Sequence, residues 1–182
     1  MNILSYTQDK QGIANAILDM AVKEKQIIYG ARATNIQLPK HLQRKTSDYD
    51  ILTKNPEKSA KELVEKLNKR YGDRFKVEKG KYERTWKVRD IETGRTIADY
   101  TKTKGRKPKT KNVLGVKYAN IDYSKGKVKK MLKDESLEFR KDKDIETLRR
   151  ILGHSDIGTT TIYITLANID VENGMKAFKG FF

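Results

Sequence analysis

Apolar residues fall on one face of the stretch from Thr7 to Lys25, where Ile13, Ala14, Ile17, Met20 and Ala21 follow helical spacing. This pattern predicts an amphipathic helix that packs on a sheet. Gln26-Ile27-Ile28-Tyr29 then reads as a short buried strand running into Gly30. After Asn55-Pro56 a second helix is predicted, with Ala60, Leu63, Val64 and Leu67 on one side, Lys and Glu on the other, and a stop near Gly72. Phe75-Lys76-Val77 and Thr85-Trp86-Lys87-Val88 alternate as strands do, and Glu92-Thr93-Gly94 predicts a hairpin turn into a strand from Arg95 to Asp99. Thr103 to Lys111, with Gly105 and Pro108, is predicted to be a basic loop. Val128, Met131 and Leu132, followed by Ile145, Leu148 and Ile151, predict two further helices. Helices and strands intermixed in this way predict a mixed α/β (α+β) chain.

The polar positions that interrupt this pattern carry chemistry. Asp48 and Asp50 flank Tyr49, and in an extended segment they project the same way while Tyr49 points opposite. Two carboxylates side by side raise one another's pKa unless a divalent ion neutralises them, and Mg²⁺ takes carboxylate oxygens while leaving room for water and phosphates. Asp99, 49 residues past Asp50 on its own predicted strand, supplies a third candidate ligand. Upstream, Gly30 lacks a Cβ, which permits a tight turn and close backbone approach to a ligand; a helix opening there would aim N–H groups at phosphate.

The order strand, glycine turn, short helix, Asp-X-Asp strand, helix and later Asp strand resembles the nucleotidyltransferase fold of the DNA polymerase beta superfamily, in particular its viral poly(A) polymerase-like and small branches. The resemblance covers roughly residues 1 to 150. It implies a nucleotidyltransferase-like mixed sheet flanked by helices, with a small helical C-terminal part. It also implies that Asp48, Asp50 and Asp99 bind two Mg²⁺ ions (or Mn²⁺), Asp99 also helping to deprotonate the attacking hydroxyl. The Gly30-Ala31 turn would hold an NTP triphosphate, and Arg32 or Lys143 would neutralise departing pyrophosphate. Lys143 sits in Arg140-Lys141-Asp142-Lys143-Asp144, similar to an Arg-X-X-Lys-Asp run that follows the core in several such enzymes. Ala31 stands where the family carries Ser or Gly, so backbone N–H groups and no hydroxyl would meet the phosphate. The 17 residues between Gly30 and Asp48, which include Pro39, Lys40, Arg44 and Lys45, form a longer insert than is usual there.

Charge adds a partner. Lys and Arg number 40 against 24 acidic residues, a formal charge of +16, which favours a polyanion. Lys102, Lys104, Arg106, Lys107, Lys109 and Lys111 crowd into the predicted loop, and from Thr101 to Lys133 the one acidic residue is Asp122. Phosphate contacts by such a segment would release counterions and weaken steeply with salt. The 182 residues, 36% of them hydrophobic, suit a catalytic core over 1–111 and a helical region over 112–182. No cysteine is present, so neither disulfides nor thiolate metal sites arise. Without a signal sequence or membrane-length apolar run, a soluble cytoplasmic protein that touches no membrane is expected.

A second resemblance lies in the tail. Leu152 to Tyr163, with Tyr163 nine residues after His154, resembles the C-terminal box of tyrosine recombinases. That family also carries a His-X-X-Arg box, which the window Lys127 to Met131 lacks; His41-Leu42-Gln43-Arg44 has the letters but lies 110 residues upstream of His154. A tyrosine without its arginines leaves transition-state charge uncompensated, so Tyr163 reads as structural and the tail as an integrase-like remnant in a mobile element. Three functions follow: an NTP-dependent nucleotidyltransferase acting on nucleic acid, an inactive nucleic-acid-binding protein of a plasmid or provirus, and a strand-transfer protein using Tyr163.

Overall fold

The computed structural model describes residues 3–132, with side chains over 9–127. Helix α1 (Ile3–Lys23) leads into β1 (Ile27–Tyr29) and the short α2 (Gly30–Asn35). Strand β2 (Tyr49–Thr53), α3 (Pro56–Tyr71) and the antiparallel β3 (Phe75–Lys79), β4 (Thr85–Asp90) and β5 (Thr96–Lys102) follow. A hairpin of β6 (Thr110–Val113) and β7 (Val116–Ala119) precedes α4 (Ile121–Leu132). The strands form one mixed sheet in the order β3-β4-β5-β2-β1-β7-β6, with β2 parallel to β5 and β1 parallel to β7. The described chain divides into two compact units, one running up to Gln37 and resuming over Arg44–Asn120, the other holding Leu38–Gln43 and α4. Among the described residues no helix is long and apolar enough to cross a membrane.

Strand alternation sorts the first unit into layers. Ile28, Tyr49, Ile51, Val88, Ala98 and Tyr100 project from one face into a core shared with Ile13, Ile17 and Met20 of α1 and Ala60, Leu63 and Leu67 of α3. Helix α3 starts with Pro56 at its first turn, lines its outer face with Lys61–Glu57 and Lys69–Glu65 pairs at 2.7 Å, and ends at Gly72 with φ of 70°. The alternate residues of the same strands, Asp50, Asp99 and Thr101 among them, face away from α1 and α3.

The β6–β7 hairpin was not foreseen from the sequence; it extends the sheet beside β1. Its turn residues Leu114 and Gly115 have φ of 50° and 82°, the positive pair a tight hairpin requires. Asn-Gly would have announced such a turn; Leu-Gly does not. The expected loop accordingly shortens to the connection between β5 and β6. One predicted C-terminal helix corresponds to α4, while the other, around Ile145–Ile151, lies outside the described residues, as do Lys143, His154 and Tyr163.

A buried ion network ties the far end of the sheet to α1. Arg74 donates to both Asp90 carboxylate oxygens, at 3.1 and 2.8 Å, and to Asp9 at 3.0 Å. Asp90 Oδ1 also accepts the backbone N–H groups of Glu92 and Thr93, which closes the β4–β5 turn. Burial alone would raise the Asp90 pKa, but the bonds from Arg74 and Thr93 outweigh it and hold the carboxyl below its ordinary value. A depressed carboxyl pKa adds stability above its unfolded value, lost as pH falls through the folded one. Asp90→Asn is therefore expected to cost about 2 kcal/mol at pH 7. In thermal melts from pH 7 to pH 2 that deficit should shrink below about pH 4.

Candidate functional site

Tyr29 at the end of β1 is in register with Asp50 of β2, which brings the next residue, Gly30, against the Asp50 side chain. Gly30 has φ of +69°, and a Cβ built on it would overlap Asp50 Oδ2 and lie 2.9 Å from Asp50 Cγ. Glycine is thus required here twice, by backbone conformation and by the carboxylate that occupies the space of its missing side chain.

Across β2, Asp50 is in register with Asp99 of the parallel strand β5, so both carboxylates leave the sheet on the side opposite α1 and α3. Asp48 precedes β2 by one residue; its Oδ1 accepts from Thr46 Oγ1 at 3.2 Å, and its carbonyl accepts from Arg32 Nε at 2.7 Å. The Asp99 side chain is 19% exposed, and its Oδ1 is buried with no hydrogen-bond partner. Burial raises its pKa; Lys87 opposes that rise, and Asp48 is close enough to add to it.

Lys87 Nζ lies 3.6 Å from Asp99 Oδ2, a neighbour the sequence did not reveal. Alternation in Thr85-Trp86-Lys87-Val88 places Lys87 on a strand, but its partner depends on an irregularity. Counting back from the β4–β5 turn, where Asp90 N–H bonds the Arg95 carbonyl, would pair Lys87 with Ala98. The register shifts by one between Val88 and Arg89, and this bulge turns Lys87 to Asp99.

Arg32 is engaged by its own neighbours. Its guanidinium stacks 3.6 Å over the Tyr49 ring, which belongs to the helix-covered face, while its Nε holds the Asp48 backbone. It braces the acidic segment from behind, on the face away from Asp50 and Asp99. The Ala31 side chain is buried, leaving backbone as the turn's contribution. Lys102, Lys104, Arg106, Lys107, Lys109 and Lys111 are all exposed, leading on from β5, the strand of Asp99.

Whether a divalent cation suits these residues can be judged from their donors. Three carboxylates supply the hard oxygens that Mg²⁺ or Mn²⁺ takes, and a buried carboxylate oxygen without a partner is an uncompensated acceptor that a cation would satisfy. The donor chemistry fits. The side chains do not converge on one point, however: among the described residues no group of three or more His, Cys, Asp or Glu is placed to hold a metal ion.

No family model and no curated protein matches the chain. Among solved structures it is similar to the Megavirus polyadenylate synthase, with a TM-score of 0.69 and 18% sequence identity over 79% of this chain. That match takes in 31% of the synthase, so the chain spans about a third of its length, and the likeness is one of fold. The seven-stranded mixed sheet flanked by helices is nucleotidyltransferase-like, as the first sequence resemblance implied. No comparison supports the recombinase-like tail.

Proposed function

We propose that this chain transfers a nucleoside monophosphate from an NTP to a hydroxyl of a nucleic acid. The observation that carries this reading is Asp99, a partly buried carboxylate with one buried, partnerless oxygen, set in register with Asp50 on a nucleotidyltransferase-like sheet. Asp48, Asp50 and Asp99 would hold Mg²⁺ or Mn²⁺, which when bound offsets their mutual repulsion and draws electron density from phosphate oxygens. Asp99 accepts the proton of the acceptor hydroxyl. The freed oxygen bonds to the α-phosphorus and the bond to pyrophosphate breaks. The Gly30-Ala31 backbone, beside Asp50, receives the triphosphate, and the exposed lysines beyond β5 hold the acceptor's phosphates.

Lys87 tunes this base. Removing its charge in Lys87→Met lets the Asp99 pKa rise further, and a base with a higher pKa is ionised over less of the pH range. The acid limb of the rate profile is therefore expected to move to higher pH, with transfer near neutrality reduced about tenfold. Label transfer from an α-³²P NTP between pH 5 and 9 measures both, and an unshifted limb counts against Asp99 as the base.

The spread of the three carboxylates favours one other reading, a nucleic-acid-binding protein that keeps the fold without turnover. Nucleic-acid binding unaffected by chelators, with no label transferred, is its signature.

A further inference from the structure

We infer that single-stranded nucleic acid lies along a basic groove at the C-terminal ends of β2 and β5, with an unpaired base against Trp86. This deepens the proposed function and rests on it for the identification of the bound strand as the acceptor. A cavity of about 780 Å³ opens between the first turns of α3, the start of β4 and the end of β5. Lys54, Arg84 and Lys102 line it, and among the described residues none of these three side chains has an acidic or hydrogen-bonding partner. The acids of α3 on the same wall are already neutralised on their own helix: Glu57 by Lys61 at 2.7 Å, Glu62 by Lys58 at 3.6 Å and Glu65 by Lys69 at 2.7 Å. Glu83 is left against three uncompensated cations, and the wall is net positive.

Trp86 gives the groove more than charge. It is half-buried, packed against the hydrophobic core while also lining the cavity. An indole set among cations is the arrangement that holds single strands, since any unpaired base stacks on it while the cations follow the phosphates. A duplex keeps its bases stacked on each other and offers the indole nothing. The track also continues: a second cavity of about 360 Å³ shares Lys54, Asn55 and Lys58 with the first and adds Lys25 and Lys107 against a single acid, Glu24. Thr103 anchors this edge, its N–H and Oγ donating to the Thr53 carbonyl at 2.9 and 3.3 Å. Trp86, in register with Tyr100, and Lys102 lie on the α3 face of the sheet, so a strand in the groove meets Asp50 and Asp99, on the opposite face, by passing round the C-terminal ends of β2 and β5, where the chain continues through the exposed Lys104 and Lys107.

Trp86 is the chain's one tryptophan, so fluorescence excited beyond the tyrosine absorption band reports this site alone. The full chain is titrated with an oligo(dT) of about a dozen nucleotides and with a duplex of equal length. Anisotropy of a labelled oligonucleotide is followed in parallel, in wild type and in Arg84→Ala/Lys102→Ala. Single strands are expected to quench Trp86, duplex to leave it unchanged, and the double variant to bind single strands about tenfold more weakly with a shallower salt dependence. Binding seen by anisotropy without quenching, equal quenching by duplex, or a variant that binds as wild type overturns the groove. Label transfer is measured on the same samples. Transfer without groove binding leaves the proposed function standing and removes this inference; groove binding without transfer does the reverse.

Discussion

Asp99→Asn is expected to reduce nucleotidyl transfer about a thousandfold while leaving the melting temperature no lower than that of wild type. The kinetic part follows from the roles proposed for Asp99, proton acceptor and cation ligand: losing several kcal/mol of transition-state stabilisation corresponds to about three orders of magnitude. The thermal part follows from the sign of the Asp99 shift. Its carboxyl pKa is raised in the folded state, by burial first and by Asp48 in addition, even with Lys87 beside it. The ionised side chain therefore costs stability above the folded pKa, and that cost disappears as pH falls toward the unfolded value. Asparagine removes the charge, and Lys87, 31% exposed, returns to water. Melts at pH 8 and pH 4 are expected to show wild type falling behind the variant at pH 8 and drawing level at pH 4. A variant several degrees less stable at pH 8 would make Asp99 a structural member of an ion pair.

The second large effect is expected at Gly30. Alanine there must adopt φ of +69° and place a methyl group where the Asp50 carboxylate now lies. The left-handed backbone costs about 1–2 kcal/mol, and displacement of a packed side chain brings the total to about 3 kcal/mol. Transfer is expected to fall at least about a hundredfold, because Asp50 is moved from its place beside Asp99. Gly94 provides the control. Its φ is +67° but a Cβ there meets nothing within 4 Å, so Gly94→Ala carries the backbone cost alone and leaves transfer unchanged. Urea denaturation and label transfer on the two variants separate strain from site disruption. Equal losses of activity in both would contradict the assigned role of Gly30.

Much of this arrangement was legible because it rests on local signals. The spacing of Ile13, Ile17 and Met20 and of Ala60, Leu63 and Leu67 marked the two helices that cover one face, and Asp48-Tyr49-Asp50 announced alternation at the start of a strand. The illegible parts depend on distant pairing. That Asp50 and Asp99 share a row follows from parallel pairing of β2 and β5 across α3, β3 and β4, which no short window of sequence encodes; it was suggested by family resemblance. Lys87 reached Asp99 through a one-residue register shift whose cause is tertiary. The contacts of Arg32 with the Tyr49 ring and the Asp48 carbonyl were equally hidden, since both depend on where β2 lies against α2. The β6–β7 hairpin was missed because leucine, 96% exposed at Leu114, takes a positive φ that residue type does not advertise.

The carboxylate-bearing face is the proposed seat of nucleotidyl transfer. The most direct test of that assignment supplies each of the four α-³²P NTPs, with Mg²⁺ or Mn²⁺, to the wild-type chain and a mixed pool of RNA, DNA and protein acceptors, with and without a chelator. Label on nucleic acid with the ion and none with the chelator is the expected result. Folded protein that still binds nucleic acid but transfers no label under any of these conditions would contradict it.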